Sequence, residues 1–390
     1  MRACMPALAN KSYFNYGGQG PLPTPSLEAI VDTWQRSQEL GPFTDDVWPL
    51  IGRLSGDLRS RLAAWCGVPP TRVTFTENVT MGCVLPLWGL PWQSGDEILL
   101  GDAEHPGVVA ACRELAHRLQ LTITSLPVLD LSGDGAEADA AVLARLDRSL
   151  SPRTRLVVLS HLLWNSGRTL PIEAVAERLA QHPRRPWLLV DAAQSLGSLP
   201  VAEAARAADI YACTGHKWCC GPEGLGVVVL SERLLEEARP TLIGWRSLQD
   251  ESKAEAPYHR DGRRFEVATS CTPLMAGLAR SLELLEAEGD AEARLTRIRA
   301  ASSRLWRGLQ ALPGVLPLLP VAPPAGLVSF TLQRRDGSPI EPASVVRALG
   351  AQGLWLRSLP DPVCLRACTH ITTLDAEVDR LLAALAALVA

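Results

Sequence analysis

The sequence predicts an α/β fold: a large lobe with a mostly parallel sheet between helices, and a smaller α+β lobe at the C-terminal end. Three observations predict it. Short β-rich apolar runs alternate with helical patterns from about residue 70 to 230. These runs are continuously hydrophobic, as in strands buried on both faces. Residues able to do chemistry (Thr76 to Thr80, His105, Asn165, Asp191 and Lys217) fall at the carboxyl ends of the runs, where ligands gather in parallel sheets.

The expected strands of the large lobe are Arg72–Thr76, Glu97–Leu100, Leu121–Leu126, Arg155–Ser160, Trp187–Val190, Ile210–Cys213 and Leu225–Leu230. Helical patterns lie between them near 79–90, 106–119, 136–149 and 171–181. The polar stretch Gln249–Arg263 reads as a long loop, followed by helices near 272–287 and 290–311. Leu327–Leu332, Leu354–Leu359 and Leu365–Ile371 read as short strands, with a helix near 341–350. The Pro-rich Leu316–Pro324 reads as a connecting loop. Leu374, Val378, Leu381, Leu382, Leu385 and Leu388 form the apolar stripe of a closing helix. The expected divisions are an N-terminal segment 1–15 packing with the smaller lobe, a large lobe 16–260 and a small lobe 261–390.

Hydrophobic residues make up 47 % and charged residues 21 %, enough apolar material for a sizeable core. The net charge is −4 without a basic block, which argues against nucleic acid as a partner. No uncharged apolar run is long enough to span a bilayer, and the first residues lack the apolar core of a signal peptide. The expectation is a cytoplasmic protein that does not engage a membrane. The ten cysteines show no paired CxxC spacing, so neither a zinc site nor a disulfide framework is expected. They read as small buried hydrophobes.

Asp191 ends an apolar strand, where a carboxylate without a partner is costly. Lys217 follows Thr214-Gly215-His216 at the end of the next strand. A lysine amine can form a Schiff base with an aldehyde, and a carboxylate can keep a pyridine nitrogen protonated. Together they are the equipment for holding pyridoxal 5'-phosphate (PLP). Thr76-Glu-Asn-Val-Thr80 joins a strand to an apolar helix and reads as a phosphate site or as an ordinary N-cap. His105 could stack on an aromatic ring or simply enter a helix. Gln194 could bond a phenolic oxygen or cap its turn.

With these residues in place the chain resembles the class V aminotransferase family of PLP enzymes, which includes the cysteine desulfurases. The resemblance also runs through Tyr13–Pro21, Trp88–Leu90, Asp96–Leu100, Ser160–Asn165, Gly244–Ser247, Arg264–Ser270, Leu356-Arg357 and Leu365–Cys368. Within the family it is most similar to the cyanobacterial C–S lyases acting on L-cysteine and L-cystine. The resemblance implies the PLP-dependent transferase fold (type I). It makes Lys217 the catalytic lysine bonded to the cofactor, Asp191 the partner of the pyridine nitrogen, Gln194 a ligand of the phenolic oxygen and His105 the ring-stacking imidazole. Val79, Thr80, Thr214 and His216 match phosphate-binding positions, and Thr269 the position reaching the phosphate from a partner subunit. A homodimer with active sites at the interface follows.

For substrate, the resemblance assigns Arg366 to the α-carboxylate, a match for a guanidinium fork. Arg357 helps bind substrate, on the distal carboxylate of cystine, and Asn165 matches a substrate-side asparagine. The desulfurase spacing from His to Asn is one residue shorter than here. Desulfurases also carry a nucleophilic cysteine on a loop between the arginine-bearing strands. Here Ser358–Leu365 is short and Cys364 directly precedes a strand, which reads as a structural thiol. The expected activity is β-elimination from cystine, and more weakly cysteine, to pyruvate, ammonia and cysteine persulfide or sulfide. Such a product could feed an iron–sulfur acceptor protein. The alternatives are a desulfurase that makes alanine and a persulfide on Cys364, and a non-catalytic PLP-binding regulator.

Overall fold

A computed structural model describes residues 1–131 and 133–389. In chain order its strands are β1 (Ser12–Tyr13), β2 (Val73–Thr76), β3 (Glu97–Gly101), β4 (Thr122–Leu126), β5 (Thr154–Ser160), β6 (Trp187–Asp191), β7 (Ile210–Thr214) and β8 (Gly226–Leu230). They continue with β9 (Val315–Pro317), β10 (Leu327–Leu332), β11 (Leu354–Trp355), β12 (Arg357–Pro360) and β13 (Val363–Cys368).

β2 to β8 form one sheet in the order β2-β8-β7-β6-β5-β3-β4. All pairs are parallel except those of β8, which runs antiparallel to both β2 and β7. β6, β7 and β8 bury every residue, which is why their sequences read as unbroken apolar runs. Alternate side chains serve two cores. Leu188, Val190, Tyr211 and Cys213 face one; Leu189, Ile210, Ala212 and Val228 face the other. Each such Leu or Val contributes about 1.5–3 kcal/mol by leaving water, and helices on both faces keep the sheet dry.

A second sheet, ordered β12-β13-β10-β9, is antiparallel throughout. The expected strand Leu354–Leu359 is split, because Leu354–Trp355 turns away to pair in parallel with Ser12–Tyr13. The chain after β1 continues this crossing: Phe14 donates to the Trp355 carbonyl and accepts from the Cys368 amide, both at 2.7 Å. The strand expected at Leu365–Ile371 begins and ends earlier, as β13. The stretch expected as a connecting loop, Leu316–Pro324, opens inside β9, where Leu316 faces Thr331 of β10.

Two long helices, Thr24–Leu40 and Trp48–Trp65, were not foreseen from the sequence. The helix Thr272–Glu286 packs against both, and its Met275, Leu278, Leu282 and Leu285 enter the core of the large sheet. We therefore propose that the lobe division runs through the next helix, Ala291–Gln310, rather than at residue 260. Among the described residues no helix is long and apolar enough to cross a membrane.

Candidate active site

The parallel strands end on one side of the large sheet, and the small sheet closes over that edge. Between them lies a cavity of about 230 Å³. Val79, Thr80, His105, Asp191, Gln194, Lys217, Arg357 and Arg366 all line it. Residues as far apart in sequence as Val79 and Arg366 are thus brought together by strand ends and one cross-strand pair.

Lys217 leaves the end of β7 in a tight turn. Gly20 donates to the His216 carbonyl at 2.8 Å and Cys220 to the Lys217 carbonyl at 3.0 Å. Its amine has no protein hydrogen-bond partner among the described residues. Burial lowers its pKa to about 8 even though the Asp191 carboxylate pulls the other way; Arg366 and Arg357 add to the lowering. At pH 7 about a tenth of such an amine is the free base, against fewer than about one in a thousand for an ordinary lysine, and a nucleophile or general base needs that form. Asp191 is 5 % exposed, and its Oδ1 accepts from the Ala193 amide at 2.9 Å. No cation of the protein lies within salt-bridge distance of it among the described residues, so a buried carboxylate faces the cavity in want of a positive partner.

The helix Val79–Gly89 points its N-terminus at the same cavity. Asn78 caps it by accepting from Met81, so the amides of Val79 and Thr80 remain free, as the first N–H groups of a helix do. With the Thr80 hydroxyl they make an anion-binding end. Thr214 and His216 stand beside Lys217 and bond each other, Oγ1 to Nδ1, at 2.7 Å. His105 caps the helix Pro106–Leu119 by accepting from Gly107, and its ring meets Trp164 edge-on with centroids 5.5 Å apart. Burial lowers its pKa, which favours a neutral ring. Gln194 donates from Nε2 to the Gly17 carbonyl and accepts at Oε1 from the Trp218 indole, both at 2.9 Å.

Arg366 is 2 % exposed. It donates to the Trp164 carbonyl at 2.8 Å and reaches Asn15 Oδ1 at 3.4 Å, while its Nε has no partner. Directly opposite it across β12–β13 stands Arg357. Like charges facing across strands repel, and neither guanidinium has a carboxylate within 4.0 Å among the described residues. The pair asks for anions from outside the protein.

Four of the expected residues do not line the cavity: Thr214 and His216, which adjoin Lys217 in the turn, and Asn165 and Thr269. Asn165 is buried with Oδ1 accepting from Ser166, while its neighbour Trp164 lines the cavity. Thr269 sits on an exposed loop by a separate apolar hollow lined by Trp34, Trp48 and Trp245. Other cavity residues were not anticipated. Gly17 and Gly18 form one wall, and Ser160 lies at the floor. Glu104 stands behind, accepting from Ser160 N at 2.6 Å and Oγ at 2.8 Å. Burial, reinforced by Asp191, pushes its pKa up to about 8. Its place just before His105 was the available signal: a buried-strand exit carrying an acid.

Residues 51–376 match the aminotransferase class-V family, and the chain belongs to it. Among solved structures, the cystine C–S lyase C-DES in complex with cysteine persulfide is 45 % identical, with a TM-score of 0.91, covering 98 % of this chain and 99 % of that one. A C-DES mutant with glycine covalently linked to its PLP cofactor is 44 % identical with a TM-score of 0.92, covering 99 % of each chain. Isopenicillin N epimerase of Amycolatopsis lactamdurans is 30 % identical over 97 % of this chain and 95 % of its own length. The cysteine desulfurase of Thermococcus onnurineus shares the fold, at 23 % identity and a TM-score of 0.86, over 100 % of this chain and 97 % of its own.

Only the free base of an amine attacks a carbonyl. Capture of a small aromatic aldehyde by Lys217 in the ligand-free protein, trapped with cyanoborohydride and read by peptide mass, is therefore expected to depend on pH. With a pKa of about 8 the rate rises with pH up to that point and levels off above it. A rate still climbing at pH 10 would show an amine with an ordinary lysine pKa.

Proposed function

We propose that this protein is a PLP-dependent C–S lyase that breaks down L-cystine, and more weakly L-cysteine, by β-elimination. Cystine and water give pyruvate, ammonia and cysteine persulfide; cysteine gives sulfide instead. The observation that carries the reading is the unpaired couple Arg357 and Arg366 facing Lys217 and Asp191 in one cavity. The similarity to C-DES supports it.

The residues fit the cofactor. Lys217 would bond its aldehyde, the unpartnered Asp191 would face its ring nitrogen, and His105 would cover the ring. The free amides of Val79 and Thr80, with Thr214 and His216, would take the phosphate, and Gln194 the phenolic oxygen. When bound, PLP supplies an electron sink for the pair left at the substrate α-carbon. The protein does the rest. Arg366 grips the α-carboxylate with a fork of N–H donors. Arg357, more exposed and nearer the mouth, takes the distal carboxylate of cystine. Lys217 would remove the substrate α-proton as general base. The sulfur beyond Cβ then departs with its bonding pair, more readily as a persulfide, the more acidic thiol, than as hydrosulfide.

A desulfurase needs a thiol that can swing onto the substrate sulfur. Cys364 is fully buried in β13, in register with Leu359, and burial pushes its pKa up to about 11. Neither mobility nor a thiolate is on offer. The similarity to isopenicillin N epimerase supports a second reading, in which the α-proton returns on the opposite face and nothing is expelled. The persulfide released by the first reading would suit an iron–sulfur acceptor protein.

We also propose a homodimer. Leu27, Trp34, Phe43 and Trp48 are 51, 49, 83 and 40 % exposed, and Trp34, Phe43 and Trp48 line the hollow beside Thr269. An exposed apolar patch of this kind marks an interface. A second copy seated there would place Thr269 beside the partner's site, as the family resemblance implies.

With cystine and cysteine as substrates, pyruvate is the expected product, fastest from cystine, and Cys364→Ala leaves its release unchanged. Alanine that disappears in Cys364→Ala would overturn the lyase reading. D-enantiomer without pyruvate would establish the epimerase reading, and no change in any substrate would establish a non-catalytic binder. Light scattering is expected to give twice 42.0 kDa for the native chain and 42.0 kDa for the Trp34→Glu/Phe43→Asp variant; a monomeric native chain would contradict the interface.

A further inference from the structure

We infer that Trp218 is a positioning residue whose indole N–H locks the Gln194 amide so that an N–H, and not the amide oxygen, faces the cavity. The inference rests on the proposal that Gln194 meets the cofactor's phenolic oxygen.

An indole nitrogen can only donate, so the atom of Gln194 that meets Trp218 Nε1 at 2.9 Å must be the oxygen. A carbonyl can only accept, so the atom that meets the Gly17 carbonyl at 2.9 Å must be the amide nitrogen. Contacts at both ends therefore remove the usual ambiguity of a side-chain amide. One hydrogen of Nε2 is used by Gly17. The other has no partner among the described residues, and Gln194 lines the cavity.

Trp218 is itself immobile. It is fully buried, stacks with Tyr16 at 6.3 Å and 29°, and its carbonyl accepts from His370 at 3.1 Å. Its six-membered ring lies so close to Gly326 that a Cβ there would come within 2.7 Å. Gly17 is equally constrained, since a Cβ would lie 2.9 Å from Gln194 Oε1 and 3.1 Å from the Arg366 guanidinium. Trp218 is also the residue after Lys217. One short turn thus sets both the amine and, through the indole, the donor that meets the oxygen beside it.

A donor to an anionic oxygen draws off its charge, so with the cofactor bound the Gln194 N–H would lower the pH at which the chromophore gives up its proton. Without the indole the amide can turn its own oxygen inward, and the proton is held more tightly. The test is the pH midpoint of the visible absorption band of the resting holoenzyme. Gln194→Leu and Trp218→Phe are each expected to raise it by about one unit, a tenfold change in the dissociation constant. The double variant shifts no further than Gln194→Leu alone. Benzothienylalanine at position 218 keeps the shape of the ring, replaces N–H by sulfur, and gives the same rise with an unchanged melting temperature. A midpoint that moves in Gln194→Leu but not in the benzothienylalanine protein would overturn the positioning role. A midpoint unmoved by Gln194→Leu would instead overturn the cofactor-facing reading of Gln194, and the role of Trp218 with it.

Discussion

The cavity depends on close backbone contact around the two peptides that flank Trp218. A Cβ on Gly20 would lie 2.1 Å from the Lys217 carbonyl oxygen, and a Cβ on Gly197 2.8 Å from the Trp218 carbonyl carbon. Gly197 also has φ +90°, a conformation that side chains resist. Three segments are therefore pressed together at their main chains, with room for no side chain on either glycine. That contact removes the freedom a lysine on a surface loop would have, and it buries the stem of the side chain. The lowered amine pKa, the direction of Gln194 and the approach of the N-terminal strand all follow from it.

Charge is the second constraint. Lys217, Arg357 and Arg366 share the cavity with Asp191, which pairs with none of them, while Glu104 behind it is pushed toward its neutral form by burial and by Asp191. Holding two guanidiniums opposite each other without a carboxylate costs stability in the empty protein. On the proposed function, that cost would be recovered when substrate carboxylates enter, which would tie the stability of this region to its ligands. Removing Arg357 would relieve the repulsion and, on the proposed function, lose the outer carboxylate contact with it.

Much of the architecture was legible because the buried strands are short and continuously apolar, and their carboxyl ends carry the reactive residues. Asp191 and Lys217 stood out because a charged residue at the end of such a run needs a reason. The helices Thr24–Leu40 and Trp48–Trp65 were missed because their aromatic residues point outward, which blurs the period expected of a helix packed on one core. The split between β11 and β12 was invisible because it depends on a partner, Ser12–Tyr13, more than 300 residues away. Glu104 was overlooked beside His105: its place at the exit of a buried strand was the one local sign, and the turn of its carboxylate inward to Ser160 shows only in the fold. Thr269 lies on an exposed loop away from the cavity within one chain, and the role that the resemblance gives it rests on the proposed second copy.

The central claim is that Lys217 carries the cofactor covalently. Borohydride reduction of the purified yellow protein, followed by peptide mass spectrometry, tests it most directly. The account predicts a phosphopyridoxyl group on the peptide containing Lys217 and none in Lys217→Ala. A label on Lys11 or Lys253, or a visible band that survives reduction with no lysine modified, would contradict it.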